Sequence, residues 1–210
     1  MCGICGEIRF DDAQASVSAV TSMTDAMATR GPDSSGLFWQ KNIALGHRRL
    51  KIIDLSESAQ QPMVDNALGL SIVYNGAIYN YPELREQLIA KGYSFFSKGD
   101  TEVILKAYHC WGEKCVEHFN GMFAFAVWER DSGRVFMARD RLGIKPLYYT
   151  EFSGGMRFAS SLPALLKGGG VDTHIDPVAL HHYMTFHSVV PAPYTMLTGV
   201  RKLPPATRMI

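Results

Sequence analysis

Two stacked antiparallel sheets with helices packed outside them, an α+β architecture, is the fold class this sequence predicts, and three observations predict it. Apolar runs meet as hairpins across Asp131-Ser132-Gly133 and across Ser153-Gly154-Gly155, residues whose chemistry lets a chain reverse tightly. The run 122–128 is apolar on both parities, the pattern of a strand covered on both faces. The helical segments fall between the hairpins with no strand–helix–strand alternation, which argues against a parallel sheet.

The elements follow in order. Cys2, Ile4, Ile8 and Phe10 share one parity of an opening strand, with Gly6 between and Glu7 and Arg9 on the other; this parity points the Cys2 thiol inward. Val17, Val20, Met23 and Met27 mark an amphipathic helix, ended by Arg30-Gly31-Pro32-Asp33. Segments 36–40 and 43–53 read as strands and 56–66 as a polar loop. A short apolar strand begins at Leu70 and stops at Asn75-Gly76. Pro82 suits the first position of a helix that Gly92 closes. Asp100 is placed to cap a further helix whose apolar side carries Val103, Ile104, Ala107 and Tyr108. Residues 135–138 and the pair 147–149 with 156–159 complete the strands. Asp176-Pro177 starts a last helix running to about Phe186. An apolar segment is opening at Met209-Ile210, so a longer enzyme with a further domain is expected.

Composition narrows the function classes. The 210 residues suit one domain, 47% are apolar and 20% charged, as in ordinary globular proteins. A formal net charge of +1 offers no global field for nucleic acid or an acidic membrane. No apolar run approaches the ~18 residues of a membrane span, and no basic leader precedes an apolar core. The compartment expected is the cytoplasm, where the four cysteines stay reduced.

The chemistry begins at Met1-Cys2-Gly3-Ile4-Cys5-Gly6. With Met1 trimmed, Cys2 carries a thiol and a free α-amine on one residue. An α-amine titrates near pH ~8, well below lysine, so it can take the thiol's proton without a histidine. The bland alternative is a small apolar residue at a strand start.

Five further segments weigh against the bland reading: Arg30-Gly31-Pro32-Asp33-Ser34-Ser35-Gly36, His47-Arg48-Arg49-Leu50-Lys51-Ile52-Ile53-Asp54, Tyr74-Asn75-Gly76-Ala77-Ile78-Tyr79-Asn80, Gly99-Asp100-Thr101-Glu102, and the run from Arg139-Asp140-Arg141 through Gly143-Ile144-Lys145-Pro146 to Tyr149. In this order and spacing, over almost the whole chain, they resemble the class II glutamine amidotransferase domain of glutamine-hydrolysing asparagine synthetases. The resemblance implies the N-terminal-nucleophile hydrolase fold, a four-layer αββα sandwich of two antiparallel sheets.

It also implies roles. Cys2 would attack the side-chain amide of L-glutamine, with its own α-amine as base. Asn75 (side-chain amide) and Gly76 (backbone N–H) would form the oxyanion hole such an attack needs. Arg49 would hold the substrate carboxylate, a task suited to a planar guanidinium, and Asp100 the ammonium. The backbone around Leu50, Ile52 and Ile53 would line the same pocket. Ala77 stands where the family usually has a glutamate that shares the ammonium, which predicts a weaker glutamine site. Arg48 competes with Arg49 by sequence alone; strand parity sends the two to opposite faces. Asn75-Gly76 could instead be a tight turn, and Asp100 only a helix cap. Gly31-Pro32-Asp33 is expected as a turn beside the site, and residues 139–149 as a structural segment near the further domain.

Other classes were weighed. Cys2-x-x-Cys5 with Cys110-x4-Cys115 could hold zinc, but the second spacing is wrong and Cys5 lies on the opposite parity from Cys2. No metal ligand is assigned in this domain. A thioredoxin-like pair would need a helix after the motif, where a strand is read. A non-catalytic relative that merely binds a partner is disfavoured because Cys2 is present. The expected activity is glutamine hydrolysis to glutamate and ammonia. A C-terminal synthetase domain of the same chain would use ATP and Mg²⁺ to amidate aspartate or another carboxylate, such as the peptide used by N-acetylglutaminylglutamine amide synthetases, which the chain also resembles. No cofactor is expected in the domain itself, and a homodimer is one option for its assembly.

Overall fold

In the computed structural model, which describes residues 1–11 and 13–210, the chain runs through β1 (Gly3–Arg9), α1 (Val17–Asp25), β2 (Ser34–Gln40), β3 (Ile43–Arg49), β4 (Met63–Asp65) and β5 (Leu70–Ile78). It continues with α2 (Tyr81–Ala90), α3 (Asp100–Trp111), β6 (Gly121–Glu129), β7 (Val135–Arg139), β8 (Tyr148–Phe152) and β9 (Gly155–Ala159), then α4 (Leu162–Lys167), α5 (Pro177–Thr185), β10 (Arg201–Lys202) and β11 (Arg208–Met209). One sheet has the order β10-β8-β9-β1-β3-β2 and the other β11-β7-β6-β5-β4. Every pairing of named strands is antiparallel.

Alternation along the strands builds the layers. Ile4, Ile8, Ile43 and Leu45 of one sheet meet Val73, Ala124, Ala126 and Trp128 of the other in a central core. The opposite parity of β1 and β3, Cys5 and Ala44, packs under Val20 and Met23 of α1 and Leu165 of α4. Ile72, Phe123, Phe125 and Val127 face Val103, Ile104 and Ala107 of α3 and Leu84 and Leu88 of α2. The result is the expected helix–sheet–sheet–helix sandwich, and β6 is covered on both faces as its composition requires.

Four local expectations change. The strand expected over 43–53 ends at Arg49, because Asp33 N–H donates to the Arg49 carbonyl (3.0 Å) and the Asp33 carboxylate takes Lys51 N–H (2.7 Å), turning the chain away. The polar loop over 56–66 contains a 3-10 turn, Glu57–Ala59, and the edge strand β4. The strand expected to stop at Asn75-Gly76 runs on to Ile78, since β6 supplies partners out to Gly121. Phe10, expected inside, lies past the end of β1 and is exposed.

His47 ties the sheets together. It is fully buried on β3, and its Nε2–H donates to the Tyr74 carbonyl of β5 (3.2 Å). Burial holds its imidazole neutral and pulls its pKa from 6.5 down to about 3, with the Arg49 charge adding to the drop and the Tyr74 bond opposing it. An unfolded chain takes up this proton below pH ~6.5 while the folded chain refuses it until far lower pH. The unfolded state therefore binds more protons in that window, and stability falls as pH drops through it by at most about 1.4 kcal/mol per pH unit. The urea midpoint is expected to fall between pH 7 and 5, above the carboxylate range, and to fall less in His47→Gln.

Candidate active site

The site lies where β1 begins, β3 ends and β5 loses its neighbour. β4 pairs with β5 only over Leu70–Ile72, so the edge of β5 beyond is open to side chains. Tyr74 N–H donates to Gln61 Oε1 (2.7 Å) and Ile78 N–H to Asp100 Oδ2 (3.0 Å) on that edge. Backbone N–H directions alternate along a strand. The Gly76 N–H therefore points to the same edge, between Gln61 and Asp100. Only glycine fits, since a Cβ at Gly76 would collide with the Met122 carbonyl and the Tyr74 ring.

Asn75 has the other parity and faces the gap between the sheets, alongside Val73. It is buried, and its side-chain nitrogen has no hydrogen-bond partner among the described residues. An unpaired buried amide costs free energy and calls for an explanation. Here the explanation is position: Asn75 and Gly76 line a cavity of about 250 Å³ together with Cys2, a size suited to a small ligand.

The register of β1 with β3 matches Gly3 to Arg48, so Cys2 sits across from Arg49. The Leu50 N–H donates to Cys2 Sγ at 3.4 Å, and the Sγ lies 3.7 Å from the Leu50 carbonyl oxygen. The motif before β2 shapes this corner. Gly31 lies so close to β3 that a Cβ there would collide with the Arg48 carbonyl, and Arg30 Nε donates to the Cys2 carbonyl (3.2 Å). The turn expected at Gly31-Pro32-Asp33 is thus part of a clamp on the Cys2, Arg49 and Lys51 backbone.

Arg48 and Arg49 separate as parity requires. Arg48 turns to the helix layer, onto the Thr24 carbonyl (3.1 Å) and the Asp25 carboxylate (2.7 Å). Arg49 is buried in the cavity wall, its guanidinium held by the carbonyls of Ser56 (2.9 Å) and Asp54. The Asp54 carboxylate accepts Ser56 and Lys98 N–H (2.9 and 2.8 Å), tying this loop to the segment before α3. These bonds and the Ser56 hydroxyl hold its pKa down against desolvation, the largest single influence.

Asp100 is not the helix cap expected of it. Gly99 occupies the cap, and Asp100 is the first residue of α3. Its carboxylate accepts the Tyr74 hydroxyl (2.7 Å) as well as Ile78 N–H, bonds across the β5 edge that outcompete a local cap. Desolvation raises its pKa, and burial beside this carboxylate raises that of Tyr74. Glu102 steadies the approach to Asp100 by accepting Phe96 N–H (3.0 Å), Ser97 N–H (2.6 Å) and the Ser97 hydroxyl (2.7 Å).

The residues that the resemblance assigns to the site all line this one cavity: Cys2, Arg49, Leu50, Ile52, Ile53, Asn75, Gly76, Ala77 and Asp100. Asn75-Gly76 is strand interior and not a turn. Cys5 is buried against Thr24 (3.3 Å) behind β1, so Cys2 and Cys5 do not converge. Tyr74, Gln61 and Lys145 also shape the cavity and had been given no role there. Tyr74 and Lys145 stand inside segments already marked, whereas Gln61 carries no local signal. The segment 139–149 is structural in part: Arg139 binds the carbonyls of Gly143 (2.6 Å), Lys145 (2.7 Å) and Leu203. Among the described residues no group of three His, Cys, Asp or Glu side chains is gathered as a cation site, and no helix is long and apolar enough to cross a membrane.

The family model described as "Glutamine amidotransferase domain" matches residues 1–210. "Asparagine synthetase [glutamine-hydrolyzing] 3" and "1" of Bacillus subtilis (strain 168) are 39% identical over 183 residues and 41% over 189. These matches cover 86% and 90% of this chain but 30% and 29% of theirs. Among solved structures, the glutamine phosphoribosylpyrophosphate amidotransferase of B. subtilis, complexed with ADP and GMP, superposes with a TM-score of 0.68 at 19% identity, covering 80% of this chain and 44% of that one. The likeness extends to the fold, the N-terminal-nucleophile sandwich. With a family model matched along all its residues, the chain belongs to the class II glutamine amidotransferase family, enzymes that take ammonia from glutamine.

Proposed function

We propose that Cys2, freed of Met1, hydrolyses L-glutamine through a thioester. The observation that carries this reading is the Asn75 amide nitrogen, buried without a partner among the described residues, on a residue that lines the cavity together with Cys2. The Cys2 α-amine takes the thiol proton, and the sulfur attacks the side-chain amide carbon. The Asn75 amide and the Gly76 N–H donate to the oxyanion. The amine returns its proton to the departing nitrogen, ammonia leaves, and a γ-glutamyl thioester remains. Water then attacks the thioester, giving its proton to the amine. Glutamate is released and the thiol restored.

The Leu50 N–H is already on the sulfur and orients it at the cavity wall. Arg49 pairs with the substrate carboxylate and Asp100 with its ammonium. Ala77 adds no charge there, so Asp100 carries the ammonium alone. A lost ion pair of this kind weakens binding by about one to two decades.

We assign residues 1–210 as the glutaminase part of a longer, cytoplasmic enzyme whose synthetase domain receives the ammonia. That assignment is supported by relatives more than three times as long as the matched segment. ATP and Mg²⁺ would supply acceptor activation in that domain, and no residue of this chain is assigned to them. Aspartate is the acceptor favoured by the relatives' names. The test is glutamate release from L-glutamine by Met1-trimmed protein, with acid quenching to trap a γ-glutamyl adduct on the Cys2 peptide. Release with the adduct is expected, and release without it would exclude the thioester.

A further inference from the structure

Lys145 is a buried cation without a counter-ion. It is 5% exposed, it lines the Cys2 cavity, and it forms no ion pair among the described residues. Its Nζ reaches the thioether of Met1, 3.5 Å away, the residue directly before Cys2.

The backbone delivering it is held rigidly. Its N–H donates to Asp140 Oδ2 (2.9 Å) and its carbonyl accepts Arg139 Nε (2.7 Å). Asp140 spends its carboxylate on the N–H groups of Phe123, Leu142, Ile144 and Lys145. That arrangement fixes the loop and leaves Lys145 Nζ unpaired.

The other charged and titratable groups around the cavity are Arg30 from the turn after α1, Arg49 at the end of β3, Asp54 on the loop after it, Tyr74 on β5 and Asp100 on α3, with Tyr148 of β8 near Arg30 and Asp140 near Lys145. Arg30 is bonded to the Cys2 carbonyl and has a second nitrogen buried without a partner among the described residues. The carboxylate of Asp100 is engaged by Tyr74 and Ile78. Lys145 and Arg30 are the cations that reach the start of the chain, at the Met1 thioether and at the Cys2 carbonyl. Burial lowers the pKa of Lys145, aided by Arg30 and opposed by the Cys2 thiolate and Asp140; that of Arg30 falls likewise, again opposed by the thiolate. Both cations therefore lie within electrostatic reach of the reacting sulfur.

We propose that Lys145 is a positioning residue for the proton transfer, its charge driving the second proton off the Cys2 amine–thiol pair so that at neutral pH the pair holds the single proton that the reaction moves from sulfur to amine to ammonia. This rests on the glutaminase reading. An α-amine with its ordinary pKa near ~8 is mostly protonated at pH 7 and cannot accept a proton. A second ammonium beside it disfavours that protonated form, and the same charge favours the thiolate. A lysine at this place therefore readies both halves of the nucleophile.

The experiment uses the full chain with Met1 removed and compares wild type, Lys145→Met and Lys145→Arg. Lys145→Met keeps the buried stem and loses only the charge. Two pH profiles are measured: kcat/KM for glutamine hydrolysis, and the rate at which iodoacetamide alkylates Cys2. Lys145→Met is expected to move the acid limb of both profiles upward by about 0.5 to 1 pH unit, slowing both reactions about 3- to 10-fold at pH 6.5 and converging with wild type at alkaline pH. Lys145→Arg is expected to restore the wild-type profile. A uniform loss at every pH, or a rise in KM with unmoved limbs, would overturn the proposal. Absence of Cys2-dependent hydrolysis in wild type would remove the glutaminase reading. The alkylation profile still decides the charge effect, because an unmoved midpoint in Lys145→Met refutes it without reference to glutamine.

Discussion

Alanine at Cys2 is expected to reduce glutamate release from L-glutamine by about 10⁴-fold or more, the scale on which a covalent nucleophile is lost. Protein that retains Met1, identified by intact mass, is expected to be comparably inactive although its thiol is untouched. With Met1 attached the Cys2 nitrogen is a peptide N–H, which is no base, and the Met1 side chain lines the mouth of the cavity. The two preparations separate thiol from amine. Activity in the Met1-retaining protein would mean another group accepts the proton, and activity in Cys2→Ala would remove the thioester altogether. Cys2 is partly exposed at the sheet end and its substitution leaves the central core intact. Both proteins should therefore melt close to wild type.

Alanine at Asn75 is expected to lower kcat by about 10²- to 10³-fold, roughly 2.7–4 kcal/mol of transition-state stabilisation, with KM little changed. The reason lies in when the donor is used. A nitrogen aimed at a developing oxyanion contributes little to a planar ground-state amide, so its loss falls on the chemical step. The folded state should hardly register the change, because the Asn75 nitrogen has no hydrogen-bond partner among the described residues. Removing an unsatisfied buried amide costs little stability. Steady-state kinetics beside a thermal melt checks both halves. A large rise in KM at constant kcat would make Asn75 a substrate-binding group and move the oxyanion elsewhere.

Local chemistry made part of this legible and misled elsewhere. The unbroken apolar run 122–128 and the helical spacing of Val20 and Met23 identified buried faces correctly, because burial follows the pattern along a single element. Parity also separated Arg48 from Arg49. Asn75-Gly76 carries a strong turn signal, yet β6 continues beside it and the ladder prevails. Asp100 has the residue type and place of a cap, yet the Tyr74 hydroxyl and Ile78 N–H draw its carboxylate across the sheet edge. Strand 43–53 was read four residues too long because Ile52 and Ile53 look like strand residues. Asp33, distant in sequence, turns the chain there.

Two kinds of information are therefore distinct in this protein. Composition, periodicity and ordered motifs were enough for the layered antiparallel class and for the family, and the resemblance they carry picked out residues that line one cavity with Cys2, since each depends on residue type and short-range spacing. The open edge of β5, the direction of the Gly76 N–H, the unpaired Asn75 nitrogen and the approach of Lys145 to the chain start depend on partners up to 144 positions apart. Such contacts form because two sheets share one core, and no local propensity encodes which backbone group that packing leaves without a partner.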